Sequence, residues 1–204
     1  MTMVLLAKRD AAVRERLLRV IRSAGHPAES LSSGPALLAR LRNTEGPSCV
    51  VSEMQLPEME PLLLLAESGV LLAPVSLVFL SSRAGVPRTV LAMKRGAIDV
   101  LETPVHPERL LEAIATGLAR ARSLAESRRR LAEVSARFED LTRRERQVFA
   151  LVTSGLLNKE VASDLRIALR TVKVHRARVM QKMKASSFAH LVRMADLLGV
   201  REAS

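Results

Sequence analysis

The sequence predicts an α/β unit followed by a small all-α unit. Short apolar runs alternate with amphipathic helical patterns five times in the first half, and the second half shows helical periodicity only. Repeated strand–helix units imply a parallel sheet covered on both faces, with its working edge at the carboxyl ends of the strands. Charge is also unevenly placed: of the net +11, residues 1–105 carry +2 and residues 106–204 carry +9. A basic half suits a polyanion partner; a solvated basic surface is the plainer alternative.

The 204 residues suit one large domain or two small ones. Apolar residues make up 48%, with four Phe, no Tyr and no Trp, so the core is expected to be Leu, Val, Ala, Ile and Met. A single cysteine, Cys49, cannot form an internal disulfide and suits a reducing compartment. The opening MTMVLLAKRD is apolar too briefly for a signal peptide, and no run approaches the roughly 20 residues that cross a bilayer. A soluble, cytoplasmic protein without membrane contact is expected. His26, His106 and His190 stand alone and no His/Cys cluster has metal spacing, so neither a metal nor a cofactor is expected.

Element by element, Met3–Ala7 is a short strand. Ala11–Ser23 carries Val13, Leu17, Val20 and Ile21 at helical spacing and stops at Gly25. Ala28–Leu31 is a weak strand and Pro35–Leu41 a short helix. Cys49–Ser52 is a buried strand, Pro61–Glu67 a helix opened by proline, and Val75–Leu80 a strand. Pro87–Arg95 is a helix, Ile98–Leu101 the fifth strand, and Pro107 opens a long helix reaching about Phe138. Leu124, Leu131 and Phe138 recur every seven residues, with Ala121 and Val134 between, like a short coiled-coil seam. A connector lying on its own domain is the alternative.

The strand ends should bring together Lys8, Arg9 and Asp10; Glu53; Ser81 and Ser82; and Glu102, Thr103 and Pro104. Glu53, a carboxylate at the end of a buried strand, could be a catalytic acid, a metal ligand, a phosphate acceptor or a fixed charge in an ion pair.

In the second half, Thr142 and Glu145 form a capping box for a helix ended by Gly155. Asn158 is expected to cap Lys159–Leu165. A turn at Arg166–Leu169 leads into Arg170–Lys184, and Ser187–Leu198 ends at Gly199. Val172, Val179 and Met183 recur on one side of the basic helix, and Arg170, Lys173, Val174, Ala177, Arg178 and Gln181 point elsewhere. A short helix, a tight turn and a basic helix make a helix-turn-helix, whose second helix enters the major groove.

Residues 141–198 resemble a LuxR-type helix-turn-helix through L-T-x-R-E at 141–145, N-K-E at 158–160 and R-T-V-K-V-H-R at 170–176. Residues 1–120 resemble a two-component receiver domain, and the whole chain resembles a response regulator of the FixJ/NarL family. The resemblance implies a flavodoxin-like (βα)5 receiver over 1–120, a connector helix over 107–138, and a four-helix DNA-binding domain over 139–204. It implies a bacterial, nucleoid-associated transcription regulator that binds double-stranded DNA, with inverted half-sites, a homodimer and RNA polymerase as implied partners. Lys173 and Val174, with Arg170, Thr171, Ala177 and Arg178, would face bases. His175, Lys159 and Lys182 would lie nearer phosphates, and Arg176 is ambiguous. Ala168 departs from the pattern, which has Ser or Thr as the cap; a lost cap costs about 1 kcal/mol.

Residue by residue, the resemblance places the receiver's metal-binding acidic pair on Lys8 and Arg9, its acceptor Asp on Glu53, its hydroxyl on Ser81 and its lysine on Thr103. The aromatic switch residue falls on Val100 and the glycine after the acceptor loop on Pro61. Mg²⁺ needs oxygen ligands. Two unit charges about 4 Å apart interact by about 4 kcal/mol at an effective dielectric near ~20, and a divalent ion facing Lys8 or Arg9 meets twice that repulsion. Glu53 is expected to pair with Lys8 or Arg9, and the receiver to work without phosphorylation. A partner- or ligand-controlled adaptor whose receiver masks the DNA domain is a second reading. A flavin- or nucleotide-binding enzyme is a third, disfavoured by the missing glycine-rich loop and stacking aromatic.

Overall fold

A computed structural model describes residues 2–59, 74–82 and 85–200. The chain divides into two compact units, Met1–Glu126 and Ser127–Ser204. The helix expected at Pro61–Glu67, and Pro61 itself, lie outside the described residues.

The first unit holds five parallel strands: β1 (Met3–Ala7), β2 (Ala28–Leu31), β3 (Ser48–Glu53), β4 (Val75–Ser81) and β5 (Asp99–Glu102), in the spatial order β2-β1-β3-β4-β5. Helices α1 (Ala11–Ser23), α2 (Gly34–Arg42), α3 (Val86–Lys94) and the start of α4 (Pro107–Glu139) connect or follow them. Alternation along the strands splits the core in two. Leu5, Val50, Leu77 and Phe79 pack with Leu37 and Leu41 of α2 and Ala92 of α3. Val4, Leu6, Val51, Val78 and Leu80 pack with Leu17 and Ile21 of α1 and Leu110 and Ile114 of α4. Burying a side chain such as Phe79 or Ile114 stabilises by about 1.5–3 kcal/mol. The α4 helix approaches the sheet closely at Gly117, where an added Cβ would stand 2.7 Å from Cys49 Sγ and 2.9 Å from Ser76 Oγ.

The second unit holds the end of α4, then α5 (Arg143–Thr153), α6 (Asn158–Asp164), α7 (Leu169–Lys182) and α8 (Phe188–Leu198). Its core joins Val148, Phe149, Val152, Val161, Val172, Val179, Met183 and Leu191. Phe138 meets Phe149 edge-on, with ring centroids 5.2 Å apart.

The heptad seam on α4 is not a free stripe. Ala121 is buried, and Val134 and Phe138 pack into the core of the second unit; Leu131 is the seam residue left 41% exposed. The cap of α6 also differs from expectation. Leu157 is the N-cap, its N–H donating to Glu160 Oε2 at 2.6 Å, while Asn158 is already helical and its Oδ1 accepts from Arg176 Nη1 at 3.0 Å. The other caps follow the sequence. Thr142 and Glu145 close a capping box, Ser187 caps α8 at the His190 N–H, and Gly199 ends α8 at φ +66°.

Candidate nucleic-acid interface and strand-end crevice

The parallel register sets Ala7 beside Ser52, so the residues that follow, Lys8 and Glu53, face each other across the ends of β1 and β3. Lys8 Nζ donates to Glu53 Oε1 at 2.6 Å, and the Arg9 backbone N–H donates to Oε2 at 2.9 Å. Both carboxylate oxygens are therefore held. Arg9 contributes its peptide, while its side chain is exposed. Arg14 braces the β1–α1 turn, donating from Nη1 to the carbonyls of Lys8 at 2.8 Å and Arg9 at 3.0 Å.

Around this pair lies a crevice of about 430 Å³ lined by Lys8, Arg9, Glu53, Ser81, Ser82 and Thr103, together with Arg88 and the loop Met54–Pro57. Asp10, Glu102 and Pro104 do not line it. Asp10 caps α1, accepting the Val13 N–H at 2.9 Å, and that bond holds its carboxyl below the usual range. Arg88 was missed in the sequence. It sits in the first turn of α3, and a helix following a parallel strand starts at the strands' carboxyl edge, so its position was the available signal.

In the second unit, α7 docks through Val172 and Val179, both fully buried, with Met183 just past its end. Arg170, Thr171, Lys173, Val174, Ala177, Arg178 and Gln181 are exposed, as is Lys159 on α6. Their spacing spreads cations and small apolar groups along the outward side of one helix. Ala168 gives α7 no side-chain cap.

Two other residues of α7 have work inside the unit. Arg176 bonds Asn158 and lies 4.8 Å over the Phe188 ring, tying α7 to α6 and α8. Lys182, expected near a phosphate, donates to Glu145 Oε2 at 2.7 Å and to the Asp140 carbonyl at 3.1 Å. The reason is that α7's last turn runs beside the buried start of α5. His175, also expected near a phosphate, is half-buried, with Nδ1 enclosed and without a partner among the described residues. Burial of Glu145 pushes its carboxyl up. The Lys182 ammonium and the Thr142 N–H and hydroxyl outweigh that, so the group titrates below its ordinary value.

Residues 139–195 match the family of bacterial regulatory proteins of the luxR type, and residues 4–115 match the response regulator receiver domain. The chain belongs to the response regulators of the FixJ/LuxR type. These are DNA-binding transcription regulators. The regulator is 38% identical over 195 residues to the transcriptional regulatory protein FixJ of Azorhizobium caulinodans, covering 95% of this chain and 92% of that one. It is 35% identical over 197 residues to nodulation protein W of Bradyrhizobium diazoefficiens, covering 97% and 86%. Among solved structures, the response regulator StyR aligns with a TM-score of 0.79 at 35% identity, covering 96% of this chain and 98% of that one. Within the regulator, α6 and α7 are the two helices of the helix-turn-helix. No helix among the described residues is long and apolar enough to cross a membrane.

Proposed function

We propose that this regulator binds duplex DNA through α7 as a homodimer and works without phosphoryl transfer to its receiver. We further assign the receiver to residues 1–120, the connector helix to 107–138 and the DNA-binding domain to 139–204, with no catalytic role for either domain. The observation that carries the reading is the doubly held Glu53 carboxylate. Mg²⁺ would need free carboxylate oxygens. Among the described residues the crevice has one carboxylate, its oxygens are taken by an ammonium and a peptide N–H, and cations line the position where acids would be needed. The donor set does not fit the metal, and without it phosphoryl transfer loses its chief charge stabiliser. Thr103 offers no cation to the phosphoryl oxygens. Full-length protein incubated with acetyl phosphate and Mg²⁺ should gain no mass of about 80 Da; a stoichiometric adduct at Glu53 would overturn the reading.

On the DNA side, Arg170, Thr171, Lys173, Val174, Ala177 and Arg178 form the reading surface and Lys159 a phosphate contact. The support is their exposure on the helix that the domain core holds in place. Lysine and arginine can reach guanine O6 and N7, and Val174 can meet a thymine methyl. Lys173→Ala should cost about 1–3 kcal/mol of discrimination if it reads a base. An equal loss on every sequence would make it a phosphate contact. Lys182 is left out of this surface, because its ammonium serves Glu145.

A further inference from the structure

We propose that the strand-end crevice is a reversible binding site for a small oxyanion, a carboxylate or phosphate, taken up without metal. The proposal rests on the phosphorylation-independent reading and names what that site would hold instead. Of the described ionisable residues that line the crevice, Lys8 and Glu53 cancel. The remaining two, Arg9 and Arg88, are both cationic. Arg88 has an interaction of its own within the protein, so the exposed Arg9 guanidinium is the chief ligand-facing charge. Asp10, the nearest further acid on the β1–α1 turn, is spent on capping α1 and does not line the space.

Hydroxyls complete the set. Ser81 and Ser82 from the end of β4 and Thr103 from the end of β5 stand on the side of the crevice away from β1. The Thr103 N–H is bound to the Ser81 carbonyl at 2.8 Å, which holds the two loops together. Guanidinium and hydroxyl donors around one concave space suit a planar or tetrahedral oxyanion. The volume of about 430 Å³ lies within the usual range for small-molecule sites, roughly 300–1,000 Å³, and exceeds what one phosphoryl group fills. The Lys8–Glu53 pair then acts as a floor, because it removes the negative charge that would repel such a ligand.

The test uses the full-length protein at constant ionic strength, titrated separately with inorganic phosphate and with citrate. The backbone amides of Glu53, Ser81, Ser82 and Thr103 are followed by NMR. This site-resolved readout separates the crevice from the basic DNA-binding surface. Saturable shifts at these amides with a Kd of about 1 mM or tighter are expected, weakened about tenfold or more in Arg9→Glu. Saturation by phosphate alone, by citrate alone or by both supports the site and names its oxyanion. Absence of local shifts, or shifts unaffected by Arg9→Glu, overturns it; the same spectra report whether the variant is folded. An acetyl phosphate adduct would defeat the phosphorylation-independent reading and this proposal together. No adduct and no local shifts would defeat this proposal alone.

Discussion

Lys8 and Glu53 meet at 2.6 Å across the ends of two adjacent parallel strands, and the Arg9 N–H closes the second carboxylate oxygen at 2.9 Å. The pair is largely enclosed, its side chains 10% and 22% exposed. Removing one partner would leave the other charge half-buried without compensation. Glu53→Gln keeps the size and one acceptor oxygen but strands the Lys8 ammonium. It should lower receiver stability by about 1–2 kcal/mol, the residual exposure holding the loss below that of a fully buried pair. Lys8→Met with Glu53→Gln should recover part of this. Urea denaturation of both variants checks it, and a double variant no better than the single one would show that the ammonium is not stranded.

The same geometry makes a point about repair. Replacing Glu53 by Asp restores the acceptor's length but none of its surroundings: Lys8 and Arg9 remain where metal-binding acids would be required, and Thr103 where a lysine would be. The Glu53→Asp variant should therefore stay unmodified by acetyl phosphate and Mg²⁺, as read by intact mass. Labelling of that single variant would mean that side-chain length, and not the missing metal site, prevents the chemistry.

Arg176 separates stability from recognition. It lies on the basic helix in sequence, yet its guanidinium is spent on Asn158 and the Phe188 ring. Arg176→Met should lower the melting temperature of the DNA-binding domain while leaving the ratio of specific to non-specific DNA affinity within about twofold of wild type, because no base contact is lost. Lys173→Ala should do the reverse. Calorimetry and DNA titration on the two variants check the pair of outcomes.

Most of the fold could be read from the sequence because period and punctuation agree in each element. Met3–Ala7, Ala11–Ser23 and Ala28–Leu31 fall where the apolar pattern and Gly25 place them, and the Thr142–Glu145 box marks α5. The docking side of α7 was equally plain, since Val172, Val179 and Met183 can only be core. What could not be read shares one cause. Asn158 was assigned as a cap, and Lys182 as a phosphate neighbour, from residue type and local position, but the side chains they bond lie elsewhere in the chain. Arg176 is 18 residues from Asn158 and Glu145 is 37 from Lys182. Packing decides such pairs, and a local pattern does not contain them. Arg88 was overlooked for the same reason: its place in the crevice follows from the sheet order.

The Glu145–Lys182 pair gives the DNA-binding domain a signature in acid. Glu145 is almost fully buried, at 2% exposure, and accepts from Lys182 Nζ and the Thr142 N–H. Its folded pKa lies below the ordinary 4.5, so the unfolded chain binds this proton more readily than the folded one. By linkage, the stabilisation is fully present above about pH 4.5 and is lost as pH falls through the folded value. Glu145→Gln cannot titrate there. The stability gap between wild type and Glu145→Gln should be widest near neutral pH, constant down to the ordinary glutamate range, and should narrow below it. Lys182→Met should show the same narrowing with a smaller gap, because the Thr142 contacts remain. Denaturant unfolding of the three proteins across pH 3–7 measures this, the range spanning the ordinary glutamate value of 4.5. A gap that stays constant through that range would mean that the carboxylate's charge adds nothing to its role as a cap.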